Sequence, residues 1–260
     1  MQDQSFIYRT DAWLLVLVLM VLMFGCIYVG RKVGLRMHSH EEANDPVTGT
    51  IISAMFGLLA FLLAFTFSMS GNRYDTRREN IVEEANAIGT AILLADLYPD
   101  EQRKAFREDF KQYLEARIQY FDSGLTNQPN GEQPVDYGTR LWNRAAQLSP
   151  KIELLVASQQ MIPALNVMLD ASTTRMIGEL SRVPDSIVWM LFIFSLASAF
   201  YLGYSSSGKV SMDWFVAAGF CVLTTMVIYI TLDLDRPRRG FIQLSTSQQA
   251  MLELRALFKN

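Results

Sequence analysis

Apolar residues in this chain are gathered into four blocks separated by polar segments. The blocks cover residues 12–30, 47–70, 184–204 and 212–232, and charged residues are nearly absent from them. A helix needs about 20 apolar residues to cross a hydrocarbon core of about 30 Å, because each residue adds about 1.5 Å. The pattern therefore predicts four transmembrane helices.

The second block differs from the others at its C-terminal end. The apolar run from Val47 to Ser70 continues without a proline into the polar sequence NRYDTRRENIVEEANAIGTAI, which ends at Ile92. No turn signal separates the two parts, so the sequence predicts one helix that leaves the bilayer and enters water. We interpret this helix as the lining of a path between the two compartments.

The spacing of the blocks defines the domain organisation. The first two transmembrane helices belong to residues 1–70, and the first is retained as an anchor because it ends at Gly30 and Arg31 without a cleavage motif. The third and fourth belong to residues 184–232, and residues 233–260 form a C-terminal segment. Residues 71–183 are predicted to be a helical domain inserted between the second and third transmembrane helices, so the fold class is an all-α membrane protein.

The inserted segment shows helical periodicity and turn signals. Residues 100–122 place apolar side chains at helical spacing, after a break at Pro99. Residues 123–138 are rich in Gly, Pro, Asn and Gln and predict a surface loop. Ser149 and Pro150 resemble the start of another helix, and a further helix is predicted after Pro163.

The positive-inside rule gives an orientation. With four spans, the N-terminus, residues 71–183 and the C-terminus share one side of the membrane. That side carries nine basic residues near the span ends, and the other side carries four. The first set is Arg9, Arg73, Arg77, Arg78, Arg175, Arg182, Arg236, Arg238 and Arg239, and the second is Arg31, Lys32, Arg36 and Lys209. We therefore expect the large domain and both termini to lie in the cytoplasm.

Composition and motifs exclude several classes of function. A net charge of −3 and the lack of a basic stripe with interleaved aromatics argue against a nucleic-acid partner. The sequence contains no nucleophile elbow, metalloprotease helix or nucleotide-binding loop, so no catalytic residue, cofactor or enzyme activity is predicted. The loop sequence HSHEEAND contains His38, His40 and three carboxylates, but a solvated polar hairpin explains it better than a metal site.

Two stretches carry a resemblance to a known family. The run FLLAFTFSMSGNRYDTRRENIVEEANAIGTAI resembles the second membrane helix of bestrophin-type channels, and the tail DLDRPRRGFIQLS resembles the stretch after their fourth helix. With the four-span layout, the chain is most similar to the bacterial bestrophin-like family. The resemblance implies a homopentamer in the lipid bilayer that conducts inorganic ions through a central pore lined by the second transmembrane helix.

Two faces of that helix are candidates for the pore. Phe61, Phe65, Ser68 and Asn72 form one helical stripe, and apolar rings at a constriction gate by dewetting. A second stripe of small residues comprises Gly57, Ala60, Ala64, Ser68 and Gly71, which suit close packing between helices. We favour the phenylalanine stripe as the neck of the pore, although a direct transfer of the family motif places Ala60, Ala64 and Ser68 there.

Charged residues flank the predicted neck. Arg73, Arg77 and Arg78 either form positive rings at the inner mouth of the pore or anchor the helix end and pair with nearby glutamates. Asp233 and Asp235 lie at a junction after the fourth transmembrane helix. They are either solvated at the membrane surface or packed against arginines such as Arg73 or Arg77.

Two functions remain open from the sequence. The first is a pentameric bestrophin-like ion channel, and the alternative is a non-conducting scaffold or signalling protein whose cytoplasmic domain binds a partner. A reversal potential measured under a salt gradient separates them, because the scaffold carries no current.

Overall fold

The described part of the chain is helical throughout. The structure is a computed structural model that describes residues 10–37, 46–122, 133–208, 213–236 and 245–258. Within these ranges lie eight α-helices and four short 3₁₀ turns, at Ala95–Leu97, Ile152–Leu154, Ser206–Gly208 and Leu254–Phe258. The α-helices are α1 (Ala12–Met37), α2 (Pro46–Leu94), α3 (Asp100–Asp122), α4 (Pro134–Leu148), α5 (Leu155–Leu180), α6 (Asp185–Ser205), α7 (Trp214–Leu234) and α8 (Ser245–Glu253).

Four stretches are long and apolar enough to cross a membrane. They are Ala12–Met37, Gly49–Leu97, Ile152–Ser205 and Trp214–Leu234. The prediction of an all-α protein with four apolar helices is therefore confirmed for the described residues. The continuity of α2 is also confirmed, since its 49 residues run from the apolar block into the polar one without a break.

The chain divides into two compact units. The first unit contains Met1–Tyr74 and Arg182–Ile242, and the second contains Asp75–Ser181 and Gln243–Asn260. The first part of α2 belongs to the first unit, and the remainder belongs to the second. Helix α8 and the 3₁₀ turn that follows it belong to the second unit.

The first unit has an apolar core shared by its four helices. Leu19, Met23 and Ile27 of α1 pack in one cluster with Leu59 and Leu63 of α2. The same cluster includes Val188, Leu191 and Ala199 of α6, and Ala217, Cys221, Ile228 and Leu232 of α7. Only one side of α2 contributes to this core.

Helices α1 and α6 approach each other closely through glycines. A Cβ atom on Gly30 would overlap the carbonyl oxygen of Phe200, and one on Gly203 would overlap the carbonyl oxygen of Ile27. Backbone atoms cannot move aside as a flexible side chain can, so these positions need glycine. Small residues at such crossings are typical of helix packing in membranes.

This contact gives a stability prediction for the first unit. We expect Gly203→Ala to lower the free energy of unfolding by about 1–3 kcal/mol, because the added methyl group forces α1 and α6 apart. Thermal unfolding of the detergent-solubilised protein measures the effect. Gly25→Ala in α1 is the matched control, since a Cβ there has no neighbour within 4 Å. Equal melting temperatures for the two variants would contradict the close contact.

The core of the second unit is formed by the apolar faces of amphipathic helices. Residues 100–122 form α3 as predicted, and Phe106, Phe110 and Tyr113 are almost fully buried. They pack in the same unit as buried residues of α2, α4, α5 and α8. These buried residues include Ile81, Ile88, Ile92, Leu141, Met161, Leu165 and Met251.

The prolines act at helix boundaries in some places and not in others. Tyr98 is extended with ψ of 153° before Pro99, so the predicted break is confirmed. Pro134 occupies the first turn of α4 behind a capping box formed by Gln133 and Asp136, so the predicted loop at 123–138 is too long at its end. Residues 123–132 lie outside the described part of the chain.

The prediction of helix starts at Ser149 and after Pro163 is wrong. Ser149 is the C-cap of α4, and α5 begins only at Leu155. Pro163 lies inside α5. A proline removes one backbone hydrogen bond from a helix. Pro163 and Gln159, four residues earlier, are both exposed in the structure.

Candidate functional site

The apolar part of α2 has a buried face and an open face. Leu59, Leu63 and Thr66 are buried in the first unit. Phe61 and Phe65 point to the opposite side and are 64% and 58% exposed. Their rings stack on each other with centroids 6.4 Å apart. The open face is therefore apolar and is left uncovered by the described residues of its own chain.

The remaining predicted neck residues share that open face. Ser68 and Asn72 are exposed, and Ala60 and Ala64 of the small-residue stripe are exposed beside them. A Cβ atom on Gly57 or Gly71 would meet nothing within 4 Å. In a single chain, then, the small stripe packs against no other described helix, and both predicted stripes lie on one face.

The three predicted mouth arginines have different surroundings. Arg77 is buried, and its guanidinium donates hydrogen bonds to the carbonyl oxygens of Gly178 and Ser181, with a distance of 3.2 Å from Nε to Gly178. It neutralises the carbonyl end of α5, where cations are favoured. Arg78, one residue further along α2, is exposed. Arg73 is partly exposed and lies beside a carboxylate in the first unit.

That carboxylate belongs to the junction after α7. Asp235 is buried, and its Oδ1 lies 3.9 Å from Nη1 of Arg73. Its other oxygen accepts a hydrogen bond of 2.8 Å from the backbone N–H of Val183. Asp233 is buried as well. Arg236, which follows Asp235, donates a hydrogen bond of 2.6 Å to the carbonyl oxygen of Thr10. The junction in the structure is thus packed.

The polar part of α2 keeps an open face in the second unit. Asp75, Arg78, Glu79, Glu83 and Asn86 line a shallow groove around Val82. The five polar residues are exposed and recur at helical spacing. They include three carboxylates and one guanidinium, so the open face of the polar part carries more negative than positive charge.

The opposite, buried face of α2 carries a charge cluster that sequence reasoning missed. Glu84 has no exposed surface, and its two carboxylate oxygens accept from Nε of Arg117 at 2.5 Å and from Nη1 of Arg175 at 2.7 Å. Arg175 also donates to Glu179 at 3.1 Å. We call these four residues the Glu84 network. Its sequence signals were Arg117 among the apolar positions of α3 and the i, i+4 pair formed by Arg175 and Glu179.

Burial and the Glu84 carboxylate together shift the pKa of Arg117, and burial shifts that of Tyr113 beside it. Burial on its own lowers the pKa of the Arg117 guanidinium, but the charge of Glu84 and the hydrogen bond to it raise that pKa by more. The net shift is upward, so Arg117 stays charged. Burial also raises the pKa of the Tyr113 hydroxyl to about 12, which keeps this side chain neutral. The network is buried and charge-balanced, with two carboxylates and two guanidinium groups.

The structure does not place the sequence HSHEEAND, because residues 38–45 lie outside its described ranges. Across the ranges that are described, there is no group of three or more His, Cys, Asp or Glu side chains positioned to hold a metal ion. Cys26 and Cys221 are free thiols.

Comparisons with known proteins agree with this architecture. The chain is similar in structure to a bacterial bestrophin homolog from Klebsiella pneumoniae that carries a tryptophan-to-alanine mutation. The TM-score is 0.74 at 12% sequence identity, and the match covers 96% of this chain and 99% of that chain. A search of curated proteins finds no match. Residues 17–249 match the family described as the bestrophin-like domain, so the chain belongs to the bestrophin-like family.

Proposed function

We propose that this chain forms a pentameric ion channel whose central pore is lined by α2. The observation that carries the proposal is the open face of α2, which runs through both its apolar and its polar parts without cover from described residues of the same chain. A helix in lipid can leave apolar residues exposed. In α2, however, exposed polar residues follow the exposed apolar ones on the same side of the helix. Such a surface suits an aqueous path.

The neck of the proposed pore lies at the apolar part of this face. Phe61 and Phe65 narrow the path and repel water, so that ions pass only when the ring of phenylalanines widens. The small residues beside them allow α2 helices of neighbouring subunits to approach closely. Membership of the bestrophin-like family supports this arrangement. Inorganic ions are the species that the proposed channel conducts.

We further propose that the protein lies in a bacterial inner membrane with residues 71–183 and both termini in the cytoplasm. The support is the excess of Lys and Arg on that side of the spans. In this orientation the polar part of α2 lines the cytoplasmic half of the path, and Arg78 is an exposed arginine near the mouth.

A second candidate is a non-conducting scaffold. Its support is the apolar surface offered by Ile152, just before α5, and by Val156 and Val167 of α5, which are 88%, 73% and 57% exposed. Exposed apolar patches mark interaction sites. In the scaffold hypothesis, a partner protein binds this surface. In the channel hypothesis, neighbouring subunits cover it.

The deciding experiment measures current through the purified protein in a planar bilayer under an asymmetric salt gradient. We expect a current in the wild type that Phe65→Ala enlarges by about threefold or more, because removing the ring lowers the dewetting barrier. Phe67→Ala is the matched control, since Phe67 is an exposed phenylalanine on a different side of the same helix.

Each hypothesis has its own outcome in this experiment. Silence of the wild type at verified insertion would favour the scaffold. A conducting protein in which Phe65→Ala has no effect, while Ala64→Phe blocks the current, would place the small-residue stripe at the neck instead.

A further inference from the structure

The C-terminal end of the chain crosses three helices of the second unit. Helix α8 and the following 3₁₀ turn, residues 245–258, are here called the strap. Met251 of the strap is fully buried. Leu254 lies next to Gly89 of α2, where a Cβ atom would come within 3.2 Å of its side chain.

The more exposed contacts of the strap are an ion pair and a hydrogen bond to α3. The guanidinium of Arg255 holds the carboxylate of Glu115 on α3 with two hydrogen bonds, of 2.8 Å and 2.7 Å. Arg107 of α3 donates to the carbonyl oxygen of Leu257 at 3.0 Å. The side chains of Arg255 and Glu115 are 47% and 37% exposed, so water and salt compete for this pair.

A buried hydrogen bond joins the strap to the Glu84 network. The amide oxygen of Gln248 accepts a hydrogen bond of 3.2 Å from Nη2 of Arg175, the arginine that also binds Glu84 and Glu179. Among the described residues, the buried amide nitrogen of Gln248 has no hydrogen-bond partner. A buried donor without a partner weakens the docked state.

The strap cannot keep its structure by itself. Its α-helix has nine residues, and isolated helices of this length are unstable in water. Docking and folding of the strap are therefore one equilibrium, and the docked side gains the burial of Met251, the inner hydrogen bond of Gln248 and the exposed Arg255–Glu115 ion pair. Elements with so few buried contacts open locally at low cost.

We propose that the strap is a releasable clamp on α2. Docked, it keeps the Glu84 network dry and holds the buried face of α2 in place. Released, it unfolds and admits water to Arg175 and Glu84, which loosens the polar part of α2. If the channel function proposed above holds, this release lowers the current, because the opposite face of the same part of α2 lines the path.

The test uses the full-length protein and a charge swap. We compare Glu115→Arg, Arg255→Glu and the double variant by hydrogen–deuterium exchange over residues 245–258 and 80–92, and by bilayer current. Each single variant is expected to speed exchange of both segments by about tenfold and to reduce the current by about threefold. The double variant restores the ion pair and both readouts. Glu153→Arg makes the same charge change outside the strap and leaves them unchanged.

Two outcomes would overturn the clamp. Unchanged exchange of residues 245–258 in the single variants means that the ion pair does not fasten the strap. Faster exchange of the strap with unchanged exchange of residues 80–92 means that its release does not reach α2. A wild type without current refutes the channel function instead, and the two exchange measurements still decide the clamp.

Discussion

Glu84→Ala is expected to lower the free energy of unfolding of the second unit by about 3–5 kcal/mol. The carboxylate of Glu84 is fully buried and accepts hydrogen bonds from both Arg117 and Arg175. Its removal takes this carboxylate away from the buried guanidinium groups of Arg117 and Arg175. Removing one partner of a buried ion pair is costly because the remaining charge stays away from water.

Thermal unfolding of the solubilised protein, followed by circular dichroism, measures this effect. We expect Glu84→Ala to lower the melting temperature of the second unit by more than about 10 °C. The control is Glu83→Ala, which removes the same carboxylate from the adjacent, exposed position, and it should change the melting temperature little. A Glu84 variant as stable as the Glu83 variant would show that the network contributes no stability.

The membrane helices could be predicted from the sequence because their signal is long and one-dimensional. An uncharged run such as 47–70 has few alternatives to a transmembrane helix. The helix boundaries were harder, and the region around Ser149 and Pro150 illustrates why. The same two residues fit the start of a new helix and the turn after an old one. In the structure α5 begins at Leu155, between the buried residues Leu154 and Ala157.

The surroundings of the arginines could not be predicted, because they depend on the rotation of α2. Adjacent residues of a helix point about 100° apart. Arg77 therefore lies under the carbonyl end of α5, while Arg78 is exposed. The sequence alone offered both roles for each residue. The apolar part of α2 does not show which of the two predicted stripes forms the neck, because both stripes lie on one open face and differ mainly in side-chain size.

The Glu84 network shows a different limit of sequence reasoning. Glu83 and Glu84 look alike in a polar helix, and pairing of the nearby arginines with glutamates of the same helix was one of the two alternatives that the sequence left open. The structure instead brings Arg117 and Arg175 to Glu84 from two other helices. Contacts between residues so far apart in the chain follow from the packing of α3 and α5 around α2, which no local pattern encodes.

The buried arginine also changes where charge selection is expected in the proposed pore. Arg77 binds backbone carbonyls and Arg73 lies beside Asp235, so Arg78 is the mouth arginine most available to ions. We expect Arg78→Glu to raise the permeability of K⁺ relative to Cl⁻ by about threefold or more, because a ring of such charges changes the local potential by more than one kT. The reversal potential under a KCl gradient measures this ratio.

Two further variants give this prediction its control and its contrast. Arg103→Glu reverses an arginine of α3 that pairs with Asp100 of the same helix, and it should leave the reversal potential unchanged. Arg73→Glu should chiefly destabilise the first unit, because it places a second carboxylate next to buried Asp235. A conducting Arg78→Glu channel with the wild-type reversal potential would mean that Arg78 does not face the ion path, and the open face of α2 would then belong to a subunit interface.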